Sequence, residues 1–318
     1  MSEQARQRAL TALRDAGFDP HTTITHLPLP ASNETWLGED FVLRVGTGDP
    51  GKLAREATVA AALPAEARYP GVIAAGQADG FEWLISRRAR GEQLSRVWHR
   101  LSRAERERAI TQLADALRAL HETDVSGLPG EEDLEPPHTL PLEPLRSLIE
   151  AVRGQGSVEA SLCEESAALV RDRWPAFDRL GRGLVHGDAH LENVLWDGRD
   201  VTALLDLEWS RRSWLQVDLE ILLSFCDHPW LFVAGDYETR AAAEDYVGVP
   251  TWLSDAHPAM FAHPRLLDRL ILLHVSRTFG LLHQYPPHGP ESSADPRDRR
   301  NHLRAVLDGS SHLHRSLP

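Results

Sequence analysis

Cysteine is nearly absent: of 318 residues only Cys163 and Cys226 carry a thiol, far apart in sequence. That excludes a disulfide framework and a zinc ribbon, and it fits a reducing cytoplasm. No run of about 18 uncharged apolar residues occurs, so no membrane span is expected. The first residues, MSEQARQRALTALRDAG, are charged throughout and lack the apolar core of a signal peptide. A basic surplus is missing too. The net charge is −13, which argues against a nucleic-acid partner. Acidity of this size serves solubility, and it would also draw a cationic small molecule to an acidic cleft. Internal repeats and low-complexity tracts are absent as well.

What is present suffices for a sizeable core, because 42% of the residues are hydrophobic. Residues 3–16 show the apolar spacing of a helix, with Ala9, Leu10, Leu13 and Ala16 on one side. Strands are expected at 35–37 and 41–45 around a Gly38-Glu39-Asp40 turn, and again at 72–75 and 81–86 around Asp79-Gly80. A helix over 52–63 lies between these pairs and ends at Pro64. After residue 90 the pattern turns helical, with expected helices at 104–121, 160–173, 214–227, 238–246 and 263–284. The Pro-rich acidic stretch 128–144 reads as a loop.

One segment differs. Residues 184–209, LVHGDAHLENVLWDGRDVTALLDLEW, alternate short apolar runs with polar residues. Asp188, Asn193 and Asp206 each stand at the end of such a run, where a side chain can project into a shared cleft. Phosphoryl transfer needs a placed hydroxyl, an acceptor for its proton, and oxygen ligands for magnesium. A carboxylate followed by an amide and a second carboxylate meets those needs. A rival reading takes His186, Asp188 and His190 as transition-metal ligands sharing one strand face. Gly187 breaks a regular strand there, and no second ligand cluster appears nearby.

His186-Gly187-Asp188, four further residues and Asn193, followed by Leu205-Asp206-Leu207-Glu208-Trp209, resemble the aminoglycoside phosphotransferase and choline kinase-like family. The resemblance implies a two-lobed, protein-kinase-like α+β fold. A small β-rich N-terminal lobe (1–90), pairing a sheet with one long helix, would bind nucleotide. A larger, mainly helical lobe (91–318) would carry catalysis and substrate. It implies Asp188 as the catalytic base, Asn193 and Asp206 as Mg2+ ligands, and His186 and Asp218 as structural supports. Arg44 would face the nucleotide phosphates with Glu56 as its partner; Lys is more usual there, and Arg keeps the charge with a planar fork. Ser32 and Asn33 would lie in the phosphate-covering turn, which lacks G-x-G-x-x-G. Ser86, Arg87 and Arg88 would link the lobes and offer backbone groups to a purine. Glu208, Glu220 and Asp227 are candidate substrate contacts.

The activity so implied is transfer of the γ-phosphate of ATP or GTP to a hydroxyl of a small molecule. A cationic antibiotic such as an aminoglycoside suits the acidic sum; an amino alcohol, sugar or amino acid is the metabolic alternative. A protein substrate fits less well, since the chain runs from Asp206 into a helix without an activation segment. The contrasting class is a catalytically idle nucleotide-binding module of the same fold, which would be expected to have lost one of the three central residues.

Overall fold

The computed structural model describes residues 2–27, 33–46, 51–124, 126–127, 141–178, 180–289, 295–315 and 317. It opens with α1 (Glu3–Asp15), β1 (Thr25–Leu27), β2 (Asn33–Leu37), β3 (Phe41–Gly46), α2 (Lys52–Ala62), β4 (Val72–Ala78) and β5 (Phe81–Arg87). These strands form one antiparallel sheet in the order β1-β2-β3-β5-β4. Strict alternation along β3 divides its two faces. Phe41, Leu43 and Val45 are buried in a cluster with Trp36, Trp83, Ile85 and the apolar side of α1. Val42 and Arg44 point the other way, into a cleft. The lobe therefore uses both helices read from the apolar pattern, α1 covering one face and α2 meeting Arg44 on the other, where the resemblance implied one long helix.

Residues 88–91 lead out of the sheet. Next come β6 (Glu92–Gln93), α3 (Leu94–Val97), α4 (Arg103–His121), α5 (Leu142–Gln155) and α6 (Ala160–Arg173). β7 (Arg182–Val185), β8 (Val194–Trp196), β9 (Val201–Leu204) and β10 (Arg211–Trp214) precede α7 (Gln216–Asp227), α8 (Val249–Ala256), α9 (Leu266–Gln284), α10 (Arg299–Leu307) and α11 (His312–Arg315). β10 pairs with β7, and β6-β8-β9 form a three-stranded sheet. One large apolar cluster built on α4, α5, α7 and α9 holds this body together, and Val59 of α2 reaches into it. α4 starts with a full capping box between Ser102 and Glu105, worth about 1 kcal/mol.

Two expectations need correction. The stretch read as a loop through residue 144 already contains the first turn of α5, where Pro144 is tolerated because its missing N–H has no helical partner. Residues 128–140 lie outside the described residues. The helix expected at 238–246 is two short 3-10 turns, Glu238–Arg240 and Ala243–Tyr246. There the Asp245 carbonyl accepts from Trp98 Nε1 at 2.9 Å and Arg106 Nη1 at 3.2 Å, which competes with a helical ladder.

Candidate active site

A cleft of about 750 Å3 runs between the sheet and the hairpins of the helical body. Asn33, Arg44, Glu56, Asn193 and Asp206 line it, with residues 86–91 along its rear. Residues from six separate sequence regions thus meet in one space. Ser32 is outside the described residues.

The catalytic-loop geometry starts from a buried anchor. Asp218 opens α7 and is fully buried. It accepts from the backbone N–H of His186 at 2.9 Å and of Gly187 at 2.8 Å, and its Oδ2 meets His121 Nε2 at 2.9 Å. Burial pushes its carboxyl upward, but the His121 hydrogen bond and charge and the other partners outweigh this and hold it below the usual range. His186 is also fully buried, and its ring spans the loop. Nε2 is 2.8 Å from the Leu205 carbonyl, and Nδ1 accepts from the Asp188 N–H at 3.2 Å. Both ring nitrogens are engaged, so His186 is not available to a transition metal.

Gly187 has φ +85, and a Cβ there would stand 2.3 Å from the Trp209 carbonyl oxygen and 2.6 Å from Arg211 Nη1. Buried Arg211 fills that space and donates to the Trp209 carbonyl at 2.9 Å. This is the physical reason for glycine in the middle of the motif. Gly187→Ala is expected to cost about 1–3 kcal/mol of stability, read by thermal melting, and to lower turnover by displacing the loop.

Asp188 follows, its side chain 33% exposed and 3.3 Å from His190 Nε2. Asn193 donates through Nδ2 to the Asp188 carbonyl at 2.9 Å and to Asp188 Oδ2 at 3.2 Å, which turns its amide oxygen the other way. The Asn193 carbonyl accepts from Leu205 N–H at 2.8 Å and so ties the two hairpins together. His190 lies under this loop against Phe232 and Phe225; burial lowers its pKa, but the charge and hydrogen bond of Asp188, with the Glu192 and Asp206 charges, together raise it.

Asp206 sits in the left-handed region, φ +67, a conformation uncommon for a non-glycine residue and frequent where a site fixes a side chain. Its Oδ1 accepts from Arg44 Nη1 at 3.1 Å. Arg44 Nη2 also donates to Glu56, which is fully buried and accepts through Oε1 from Tyr69 Oη at 2.7 Å and Leu207 N–H at 3.2 Å. Burial disfavours the Arg44 charge, but Glu56 and Asp206 more than restore it. Burial raises the Asp206 carboxyl, Arg44 opposes this, and Glu56 and Asp188 add to it. Anionic groups therefore outnumber the guanidinium here. With the Asn193 amide oxygen, they make a hard-oxygen donor set that suits a divalent cation such as Mg2+.

The three candidate substrate carboxylates are placed elsewhere. Glu208 is buried on the interlobe side, accepting from Asn33 Nδ2 at 3.0 Å with Lys52 Nζ at 4.0 Å. Glu220 is buried and saturated. It accepts from Arg277 Nε at 2.9 Å and Nη2 at 2.8 Å, Ser224 Oγ at 2.7 Å and, on the same oxygen, His274 Nδ1 at 2.7 Å. Asp227 ends α7, about 13 Å along the helix from Asp218. Ser86, Arg87 and Arg88 do line the cleft, and Arg88 Nη1 donates to the Gly38 carbonyl at 3.1 Å, bracing the β2–β3 turn.

Sequence reasoning missed Tyr69, His121, Arg211 and Arg277. His121 had no local signal, since it ends a helix 97 residues from its partner. It is backed by His257, whose Nε2 lies 2.9 Å from His121 Nδ1. Burial, then the His121 and Arg118 charges, depress His257 from 6.5 to about 4. A depressed base stabilises the fold fully above its unfolded value and loses that contribution as pH falls through the folded one. Thermal stability is therefore expected to drop from about pH 6.5 towards 4, with a shallower drop in His257→Gln, measured by melting at stepped pH.

A two-lobed kinase-like fold with a loop-borne Asp, Asn and Asp over an Arg–Glu pair defines a phosphotransferase. The chain belongs to the phosphotransferase enzyme family typified by the aminoglycoside phosphotransferases, whose profile matches residues 23–252. No curated protein sequence matches significantly. Among solved structures, a thermostable mutant of aminoglycoside phosphotransferase APH(4)-Ia, with AMP-PNP and hygromycin B, aligns with TM-score 0.62 at 18% identity, covering 92% of this chain and 94% of that one. APH(3'')-Id from Streptomyces rimosus, with ADP and streptomycin, aligns with TM-score 0.56 at 18% identity over 87% and 99% of the two chains. ADP-bound APH(2'')-Ib gives 0.58 at 13% identity over 99% of each. At these identities the likeness shows the fold. Among the described residues no helix is long and apolar enough to cross a membrane.

Proposed function

We propose that this phosphotransferase moves the γ-phosphate of ATP or GTP to a hydroxyl of a small cationic molecule of the aminoglycoside type, in the cytoplasm. The convergence of Asn193, Asp206 and Arg44 at one cleft, with the Asp188 carboxylate on the Asn193 amide, carries the reading. The purine would lie along residues 86–91, with Arg44 at the phosphates. Asp188 would accept the proton of the attacking hydroxyl, with Asn193 and His190 fixing its carboxylate. Asn193 and Asp206 would hold Mg2+, which when bound offsets charge on the phosphate oxygens. Support for the acceptor class comes from the net charge of −13 and from hygromycin B and streptomycin in the relatives.

A second acceptor class is favoured by one observation. Arg277 lies 5.9 Å from the Phe232 ring and keeps part of its side chain exposed beside its bonds to Glu220, which suits a hydroxylated amino acid with its own carboxylate. The test is Mg2+-dependent release of nucleoside diphosphate from ATP and GTP against aminoglycosides, amino alcohols, sugars and hydroxy amino acids. Turnover with an aminoglycoside that disappears in Asp188→Ala supports the first reading, and turnover confined to amino acids supports the second. Nucleotide binding without transfer to any acceptor would leave an idle binding module.

A further inference from the structure

A cluster on the far side of α7 has no part in the cleft chemistry. His228 follows the last residue of α7, His312 opens α11, and Asp227 stands between them. Asp227 Oδ2 lies 3.4 Å from His228 Nδ1 and 3.8 Å from His312 Nδ1, and the three ligand atoms fall within 4.8 Å of one another. Four-coordinate zinc with bonds near 2.0–2.1 Å sets its ligand atoms roughly 3.3 Å apart. The two Asp227–histidine separations are already close to that spacing.

We propose that Asp227, His228 and His312 form a zinc site that fastens α11 to the end of α7, with water in the fourth position. The tautomers agree with this. Ser224 Oγ gives its proton to Glu220 and so can accept from His312 Nε2 at 3.4 Å, the tautomer that would turn the Nδ1 lone pair to Asp227. Among the described residues the His228 ring is otherwise held only by ring contacts, stacking on His302 with centroids 4.3 Å apart and meeting Trp230 and His312 edge-on. Arg277 is engaged on Glu220, and Arg315 lies 3.7 Å from Asp227 Oδ1, which leaves Oδ2 to face the two rings. Asp227 is 27% exposed, which leaves a route in from solvent.

The experiment titrates the chelator-treated full chain with ZnCl2 in saturating Mg2+ by calorimetry, and with Co2+ by visible absorbance. Uptake of one zinc per chain, a raised Tm and the intense bands of four-coordinate Co2+ are expected. His228→Asn and His312→Asn should abolish all three readouts, and Ser224→Ala, which keeps every ligand, should weaken zinc about 10-fold. Asp206→Asn should retain them, separating this site from the cleft and from any failure of the phosphotransfer reading. Absence of zinc uptake by the wild-type chain, uptake unchanged in both histidine variants, or loss in Asp206→Asn would overturn the proposal. Circular dichroism confirms that each variant is folded, and Ser224→Ala decides the matter if a ligand variant is not.

Discussion

Asp188→Asn is expected to lower kcat by about 10²–10⁴-fold while nucleotide affinity stays close to wild type. The expectation rests on how little else the substitution disturbs. The loop is fixed from beneath by Asp218 through two backbone N–H groups and from within by His186, neither of which uses the Asp188 carboxylate. Asparagine retains an oxygen for Asn193 or His190 and loses the ability to take a proton. The nucleotide contacts assigned to Arg44 and residues 86–91 lie on the other side of the cleft. Steady-state kinetics paired with nucleotide titration measures both quantities. Equal losses in kcat and affinity would mean that Asp188 organises the site and does not act on the hydroxyl.

A different outcome is expected for Asp218→Ala, which should cost about 3–5 kcal/mol of stability along with most of the turnover. Its carboxylate serves three buried donors at once, two backbone amides of the catalytic loop and the His121 ring. Alanine leaves all three without an acceptor in a region closed to water, and each such group carries a desolvation cost. Asp218→Asn keeps one oxygen and should fall between. Urea unfolding separates the cases, and a wild-type midpoint for Asp218→Ala would show that the loop holds its shape by other means.

The central constellation was legible because it is local. Asp188, Asn193 and Asp206 sit within one stretch of short strands, where brief apolar runs fix the ends from which they project. Arg44 and Glu56 were read from the resemblance, which puts a basic residue at this strand position and a partner in the following helix, and their side chains do meet. What the pattern could not carry was contact between distant segments. Nothing near His121 announces Asp218, and nothing near Tyr69 announces Glu56. The acidic residues after the motif illustrate the converse. Glu220 looked like an open carboxylate, and only folding brings Arg277 and His274 from α9 onto it. The missed helix α5 has a third cause, a proline that reads as a breaker unless the helix start is already known.

The seam between the lobes has a consequence for anyone building hybrids of these enzymes. Residues 88–91 look like a natural crossover point, since the chain passes between bodies there only once. The join is nevertheless stitched elsewhere, by Asn33 on Glu208, by Arg44 on Asp206, and by Glu56 on the Leu207 amide. A donor front half spliced at residue 90 would arrive with its own counterparts to three consecutive residues it had never met. A working chimera must therefore transplant the 206–208 tripeptide together with the front half, making the heritable unit discontinuous in the gene although continuous in space.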